Sequence, residues 1–300
     1  MVETANLLAD RINNLEESAT LAMSKKSREL AAQGHKVINL SIGEPDFKTP
    51  KHICEAAKQA IDNGFHAYTP VAGIPELRKV IAEKFKRDNN IDWKPENVIV
   101  STGAKHSLAN ALAVMVNPGD EVIIFAPYWV SYSEMVKLAE GTSVILEGAF
   151  DNDFKVTPEQ LEAAITDRTK VVMYASPNNP TGSVYSEAEL RAIAAVIEKH
   201  ENVFVLADEI YEYINFREEG HFSIGSIPAI KDRVITVNGM AKGFAMTGWR
   251  IGFIGAAKWI VDGIDKLQGQ VTSGTNSIAQ RASVVAWDDM TAPETMKRAY

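Results

Sequence analysis

From about residue 95 onward, short runs of β-branched and aliphatic residues alternate with longer stretches whose apolar positions recur every three to four residues. The short runs lie at 98–101, 122–125, 143–146, 170–174, 203–207, 234–237 and 251–255. Several are apolar at successive positions, the pattern of strands buried on both faces. Between many of them the chain predicts helices. Thr157-Pro158 sets an N-cap beside a proline at the first helical position, where a missing N–H costs nothing. Ser186 and Glu189 form a capping box ahead of a periodic segment. Asn117-Pro118-Gly119-Asp120 is a turn feeding the next strand. Strand and helix alternating at this spacing predict an α/β fold with a mostly parallel, seven-stranded sheet flanked by helices. Ligands gather beyond the carboxyl ends of such strands, so the residues after each run are where chemistry is expected.

The first forty-odd residues break the rhythm. They give a helical stretch and then a predicted short strand at 37–41. Residues 1–45 therefore read as an arm and the first part of a smaller, here incomplete, α+β domain. Residues 46–288 form the large domain. Residues 289–300 open a further helix, the start of a C-terminal small domain that is expected to be truncated.

Composition narrows the function. With 300 residues and 46% hydrophobic content the chain can bury one large core and a smaller one. A net charge of −8 argues against nucleic-acid binding, which needs a basic face. The single cysteine, Cys54, excludes an internal disulfide and fits a reducing cytosol. It sits in an amphipathic stretch at 52–62 and reads as packing. The N-terminus mixes both charges and lacks the apolar core of a signal peptide. The longest apolar stretch, 107–116, is too short for a membrane span and contains Asn110. A cytoplasmic protein without a metal site is expected.

The residues that follow the runs are more telling. After 98–101 come Thr102-Gly103-Ala104-Lys105, opening a helix. After 122–125 come Pro127-Tyr128-Trp129. After 170–174 come Ser176-Pro177-Asn178-Asn179-Pro180-Thr181-Gly182. Asp208-Glu209-Ile210-Tyr211 follow 203–207, and Asn238-Gly239-Met240-Ala241-Lys242 follow 234–237, with Gly248-Trp249-Arg250 beyond. The strand ends thus supply a helix start able to receive a phosphate, an aromatic ring, an amide, a carboxylate, a phenol, a lysine and an arginine. That set suits a phosphorylated, aromatic, carbonyl-bearing cofactor.

The motifs SIGEPDF, YTPVAGIPELR, PYWVSY, SPNNPTG, ADEIY and AKGFAMTGWRIG stand in the order found in class I/II aminotransferases. Over essentially its whole length the chain resembles these fold-type I pyridoxal-phosphate (PLP) enzymes, and within them the bacterial aspartate aminotransferase subgroup. The resemblance implies pyridoxal 5'-phosphate as cofactor and Lys242 as its Schiff-base anchor. A desolvated lysine has a lowered pKa, which suits a nucleophile and proton carrier. Asp208 would pair with the pyridine nitrogen and keep the ring an electron sink; on its own it is equally a helix N-cap. Tyr211 and Asn179 would hydrogen-bond the phenolic oxygen, although Asn179 also suits a turn and Tyr211 a buried aromatic. Trp129 would stack on the ring, with core packing as the rival reading. Tyr132 receives no role. The phosphate would meet the N–H groups of Gly103, Ala104 and Lys105 at the helix start, and Arg250. Tyr68 resembles the tyrosine donated across a dimer interface, which implies a homodimer with a shared site.

For substrate, the resemblance implies contacts from the Gly43 backbone, Trp129, Asn179, Lys105 and Thr20. Lys105 would meet the distal carboxylate of a dicarboxylic substrate, and Ser18-Ala19-Thr20 matches a segment that closes over it. Transamination of L-aspartate with 2-oxoglutarate by a ping-pong cycle is expected. Prephenate users tend to carry a basic residue where this chain has Glu16. The arginine that binds the substrate α-carboxylate falls beyond residue 300, and neither Arg281 nor Arg298 matches it. The alternatives are another fold-type I enzyme (a prephenate or aromatic aminotransferase, or a C–S lyase) and a non-catalytic ligand-sensing domain. The latter would carry a basic DNA-binding module, which this chain lacks.

Overall fold

The structure, a computed structural model, describes residues 7–40 and 43–300. Four helices precede the sheet: α1 (Asp10–Asn13), α2 (Ala19–Ala32), α3 (Lys51–Asp62) and α4 (Pro75–Asn89). Then follow β1 (Val98–Ser101), α5 (Ala104–Met115), β2 (Glu121–Ala126), α6 (Ser131–Leu138), β3 (Thr142–Glu147), α7 (Pro158–Ala164), β4 (Thr169–Ala175), α8 (Glu187–Lys199) and β5 (Phe204–Asp208). The chain continues through β6 (Val234–Gly239), β7 (Gly252–Gly255), α9 (Lys258–Val271), α10 (Ser277–Val284) and α11 (Thr291–Ala299). All seven apolar runs are strands. Thr157 accepts a hydrogen bond from the Gln160 N–H, and Ser186 from that of Glu189, so both predicted caps form.

One expected strand is absent. Residues 37–40 carry none, and Ser41 lies outside the described residues. Ile38 and Leu40 are exposed. A strand needs a neighbour to take its N–H and C=O groups, and no strand lies alongside this segment among the described residues.

The seven strands form one sheet in the order β1-β7-β6-β5-β4-β2-β3. From β3 to β6 all pairs are parallel, whereas β7 runs antiparallel to both β6 and β1. Alternate residues feed opposite faces. Val122 and Ile124 join a core with Leu108, Leu112 and Ile264. Ile123 and Phe125 join another with Leu190, Ile193 and Val205. A third core packs α3, α4 and α10 against β1 and the β6–β7 segment, with Phe85 edge-on to Phe253 at 5.7 Å. Among the described residues no helix is long and apolar enough to cross a membrane.

Helix α4 also carries a charge into this interior. Lys84 is fully buried; its ammonium pairs with Glu212 and donates to Asn89 Oδ1 at 2.6 Å. Asn89 in turn donates to Glu212 Oε2 at 2.9 Å. The network ties α4 to the turn just after β5. Breaking a buried ion pair strands the other charge, at a cost of about 3–5 kcal/mol. Lys84→Ala should lose that much in urea unfolding at pH 7. A loss below about 1 kcal/mol would mean that the pair does not hold the turn.

Candidate active site

Because β7 opposes both of its neighbours, β1 points the same way as β6. The carboxyl ends of β1, β2, β4, β5 and β6 therefore open on one edge of the sheet, where Lys105, Trp129, Asn179, Asp208, Tyr211, Lys242 and Arg250 lie.

Asp208, the last residue of β5, is buried. Its Oδ2 accepts from the Tyr132 hydroxyl at 2.7 Å and its Oδ1 from the Ile210 N–H at 3.2 Å. Burial pushes its carboxyl up to about 6, although Tyr132, Ile210 and Lys242 all pull the other way. The Lys242 ammonium donates to the Gly43 carbonyl and lies 5.4 Å from the Tyr211 ring centre. Burial, with Arg250 adding to it, holds its pKa below the usual lysine range despite Glu44 and Asp208. Asn179 hydrogen-bonds Tyr211; burial nevertheless raises the Tyr211 hydroxyl to about 12.

Trp129 is half-buried, edge-on to Tyr132 at 5.8 Å, with the Lys105 ammonium 4.6 Å from its ring centre. Burial, then Arg250, lowers the Lys105 pKa.

At the start of α5 no side chain caps the helix. Gly103 has φ +84°, and a Cβ there would collide with the Arg250 guanidinium. A Cβ on Gly252 of β7 would collide with the backbone of Gly103 and Ala104. Two glycines thus let an arginine and a strand lie against an open helix start, whose dipole favours an anion. Gly103 also has a backbone partner of its own. Its N–H donates to the Ser101 carbonyl at 2.8 Å, so its missing side chain is what opens the site. Arg250 itself is left-handed at φ +59° and donates to the Thr247 carbonyl at 3.0 Å.

Two expected residues stay apart. Thr20 is half-buried on α2, and Tyr68 is fully exposed beside a cavity of about 300 Å³ lined by Phe65, Thr69, Pro70 and Arg281. Among the described residues no hydrogen bond or ion pair joins either to the Lys242 group. Arg281 pairs with Glu76 at 3.3 Å.

The sequence reading missed Tyr132 as the partner of Asp208. Its place three residues after Trp129, at the end of PYWVSY, was the available signal. It also missed a buried group behind the site. Glu209 accepts from the Ser223 hydroxyl at 2.6 Å and lies 3.0 Å from His221 Nε2. Burial works against a charged His221, but Glu209 and Glu212 raise its pKa overall. Lys84 pairs with Glu212 in the same cluster.

The model of the family described as aminotransferase class I and II matches residues 35–299. The chain belongs to that family. It is 45% identical over 295 residues to an aspartate aminotransferase of Bacillus subtilis (strain 168), covering 98% of this chain and 75% of that protein. It is 48% identical over 280 residues to an aspartate/prephenate aminotransferase of Cereibacter sphaeroides, covering 93% and 70%. Among solved structures, the aspartate aminotransferase of Rhizobium meliloti superposes with a TM-score of 0.94 at 40% identity, over 97% of this chain and 74% of that one. The Thermus thermophilus aspartate aminotransferase with maleate gives 0.93 at 42%, over 97% and 75%. The chain is a pyridoxal-phosphate-dependent aminotransferase of fold type I. The chemistry gathered at the sheet edge fits that cofactor: an uncapped helix start with an arginine, a buried carboxylate, a phenol–amide pair and a desolvated lysine.

A buried carboxylate carries a stability cost in the cofactor-free aminotransferase. With a folded pKa of about 6 against the ordinary 3.8, Asp208 binds more protons folded than unfolded between those values. Stability therefore falls as pH rises through that window, by up to about 3 kcal/mol. Asp208→Asn should make the cofactor-free protein more stable than the parent at pH 7.5 and equal to it near pH 4 in urea titrations. A difference independent of pH would trace the effect to something other than this carboxylate.

Proposed function

We propose that Lys242 anchors pyridoxal 5'-phosphate and that the chain transaminates L-aspartate with 2-oxoglutarate. The observation that carries this reading is a desolvated lysine amine grouped with a buried carboxylate and a phenol–amide pair. Bound, pyridoxal phosphate supplies an electron sink that acidifies the α-proton of an amino acid. The rest falls to the chain. Asp208 holds the ring nitrogen. Tyr211 and Asn179 hold the phenolic oxygen, and Trp129 covers a ring face. The α5 start, at Ala104 and Lys105, and Arg250 hold the phosphate, in the space left by Gly103. The lowered pKa of Lys242 leaves more of its amine neutral at pH 7, ready to take the α-proton and return it.

Lys105 faces the distal carboxylate, and Gly43 and Thr20 border the substrate. Two relatives named aspartate aminotransferase, 45% and 46% identical, support a dicarboxylic substrate. The pairing is a homodimer in which Tyr68 serves the neighbouring subunit's phosphate. Its full exposure in the single chain fits that use. A cytoplasmic location accords with a lone cysteine, Cys54.

Loaded with cofactor, the protein should show an absorbance band that L-aspartate shifts and 2-oxoglutarate restores. Lys242→Ala should slow that response at least about 100-fold and release all cofactor on dialysis after borohydride reduction. Cofactor still fixed in this variant would overturn the anchor. Lys105→Ala should raise KM for aspartate about 10- to 100-fold, the worth of a charge-assisted hydrogen bond, and leave alanine unaffected. Equal effects on both would remove Lys105 from substrate selection, and faster turnover of prephenate than of 2-oxoglutarate would reassign the acceptor.

A further inference from the structure

We propose that Tyr132 is a positioning residue: its hydroxyl holds the Asp208 carboxylate in the orientation and charge state that meets the cofactor's ring nitrogen. The inference rests on the reading of Asp208 just given and deepens it.

The contact spans the sheet edge. Tyr132 belongs to α6, which follows β2, while Asp208 ends β5, and β4 lies between those strands. The tyrosine has little freedom. It is 1% exposed, its ring is parallel to Tyr128 at 6.3 Å, and Trp129 meets it edge-on. Its backbone N–H donates to the Trp129 carbonyl at 2.9 Å. The ring proposed to cover the cofactor and the hydroxyl that grips its carboxylate are therefore parts of one rigid turn.

The hydrogen-bond count explains what the hydroxyl does. A carboxylate offers about four lone-pair sites. Among the described residues Asp208 receives two donors, Tyr132 at 2.7 Å and the Ile210 N–H at the longer 3.2 Å. A phenol has a single proton to give, and here it goes to Oδ2. Sites remain for one more donor, a protonated ring nitrogen. Burial and the neighbouring carboxylate raise the Tyr132 hydroxyl well above the usual tyrosine range, so it stays a donor. Without it, Oδ2 would stand buried with its best partner gone, and the carboxyl group would favour its neutral form.

Tyr132→Phe keeps the ring and removes only the hydroxyl. The test compares parent, Tyr132→Phe and Asp208→Asn with two cofactors: pyridoxal phosphate, and its analogue in which carbon replaces the ring nitrogen. Affinities are read from quenching of tryptophan fluorescence. Tyr132→Phe should bind pyridoxal phosphate about 10-fold or more weakly, the scale of a hydrogen bond to a charged group, and bind the carbon analogue like the parent. With pyridoxal phosphate, kcat should fall with KM for aspartate little changed. If Asp208→Asn shows the same cofactor selectivity but Tyr132→Phe binds both cofactors like the parent, the proposal fails. Equal weakening toward both cofactors in Tyr132→Phe would make Tyr132 a packing residue and also overturns it. If Asp208→Asn itself does not distinguish the cofactors, the reading of Asp208 fails first, whatever Tyr132 does.

Discussion

A carboxylate at the end of a central strand, removed from water, is the constraint around which this enzyme is arranged. A buried charge is tolerable only when it is hydrogen-bonded and opposed by cations. Asp208 has Tyr132 and Ile210 as donors and feels the charge of Lys242, yet its pKa is still raised. The protein alone leaves this group short of a partner. On the proposed reading of Asp208 a protonated aromatic nitrogen would complete it, and the feature that costs the empty fold stability would then also serve cofactor selection.

Topology gathers the other groups. Parallel strands bring their carboxyl ends to one edge, and the reversal at β7 adds β1 to that edge. The same reversal lays Arg250 and Gly252 against the start of α5. Close approach is possible there because neither Gly103 nor Gly252 carries a side chain. The open helix start beside Arg250 therefore depends on two segments about 150 residues apart in sequence, at 103–105 and 250–252.

Behind the site, two more carboxylates of the same turn are buried and held from other elements. Glu209 is held by His221 and Ser223, and Glu212 by Lys84 and Asn89. The turn that carries Asp208 and Tyr211 is thereby fixed on both sides. A few tenths of an ångström at such a turn matter, because catalytic groups act only within narrow limits of distance and angle.

The amino-acid sequence by itself determined the seven strands and the caps at Thr157 and Ser186, and it singled out Asp208, Tyr211, Asn179 and Lys242, which the fold brings together. These are local properties: runs of β-branched side chains, a hydroxyl three residues before a glutamate or glutamine, and motifs that follow strand ends. The expected strand at 37–41 had the right local composition, but residues 37–40 lie alongside no strand among the described residues, and pairing is decided in three dimensions. Tertiary structure alone decided that Tyr132, the last residue of PYWVSY, grips Asp208. It also let Arg250 lie where a side chain on Gly103 would sit, and it set Lys84 under the turn after β5. Each of these joins residues far apart in the chain, and each depends on burial, which gives a charge or a hydrogen bond its strength and which no stretch of sequence fixes alone.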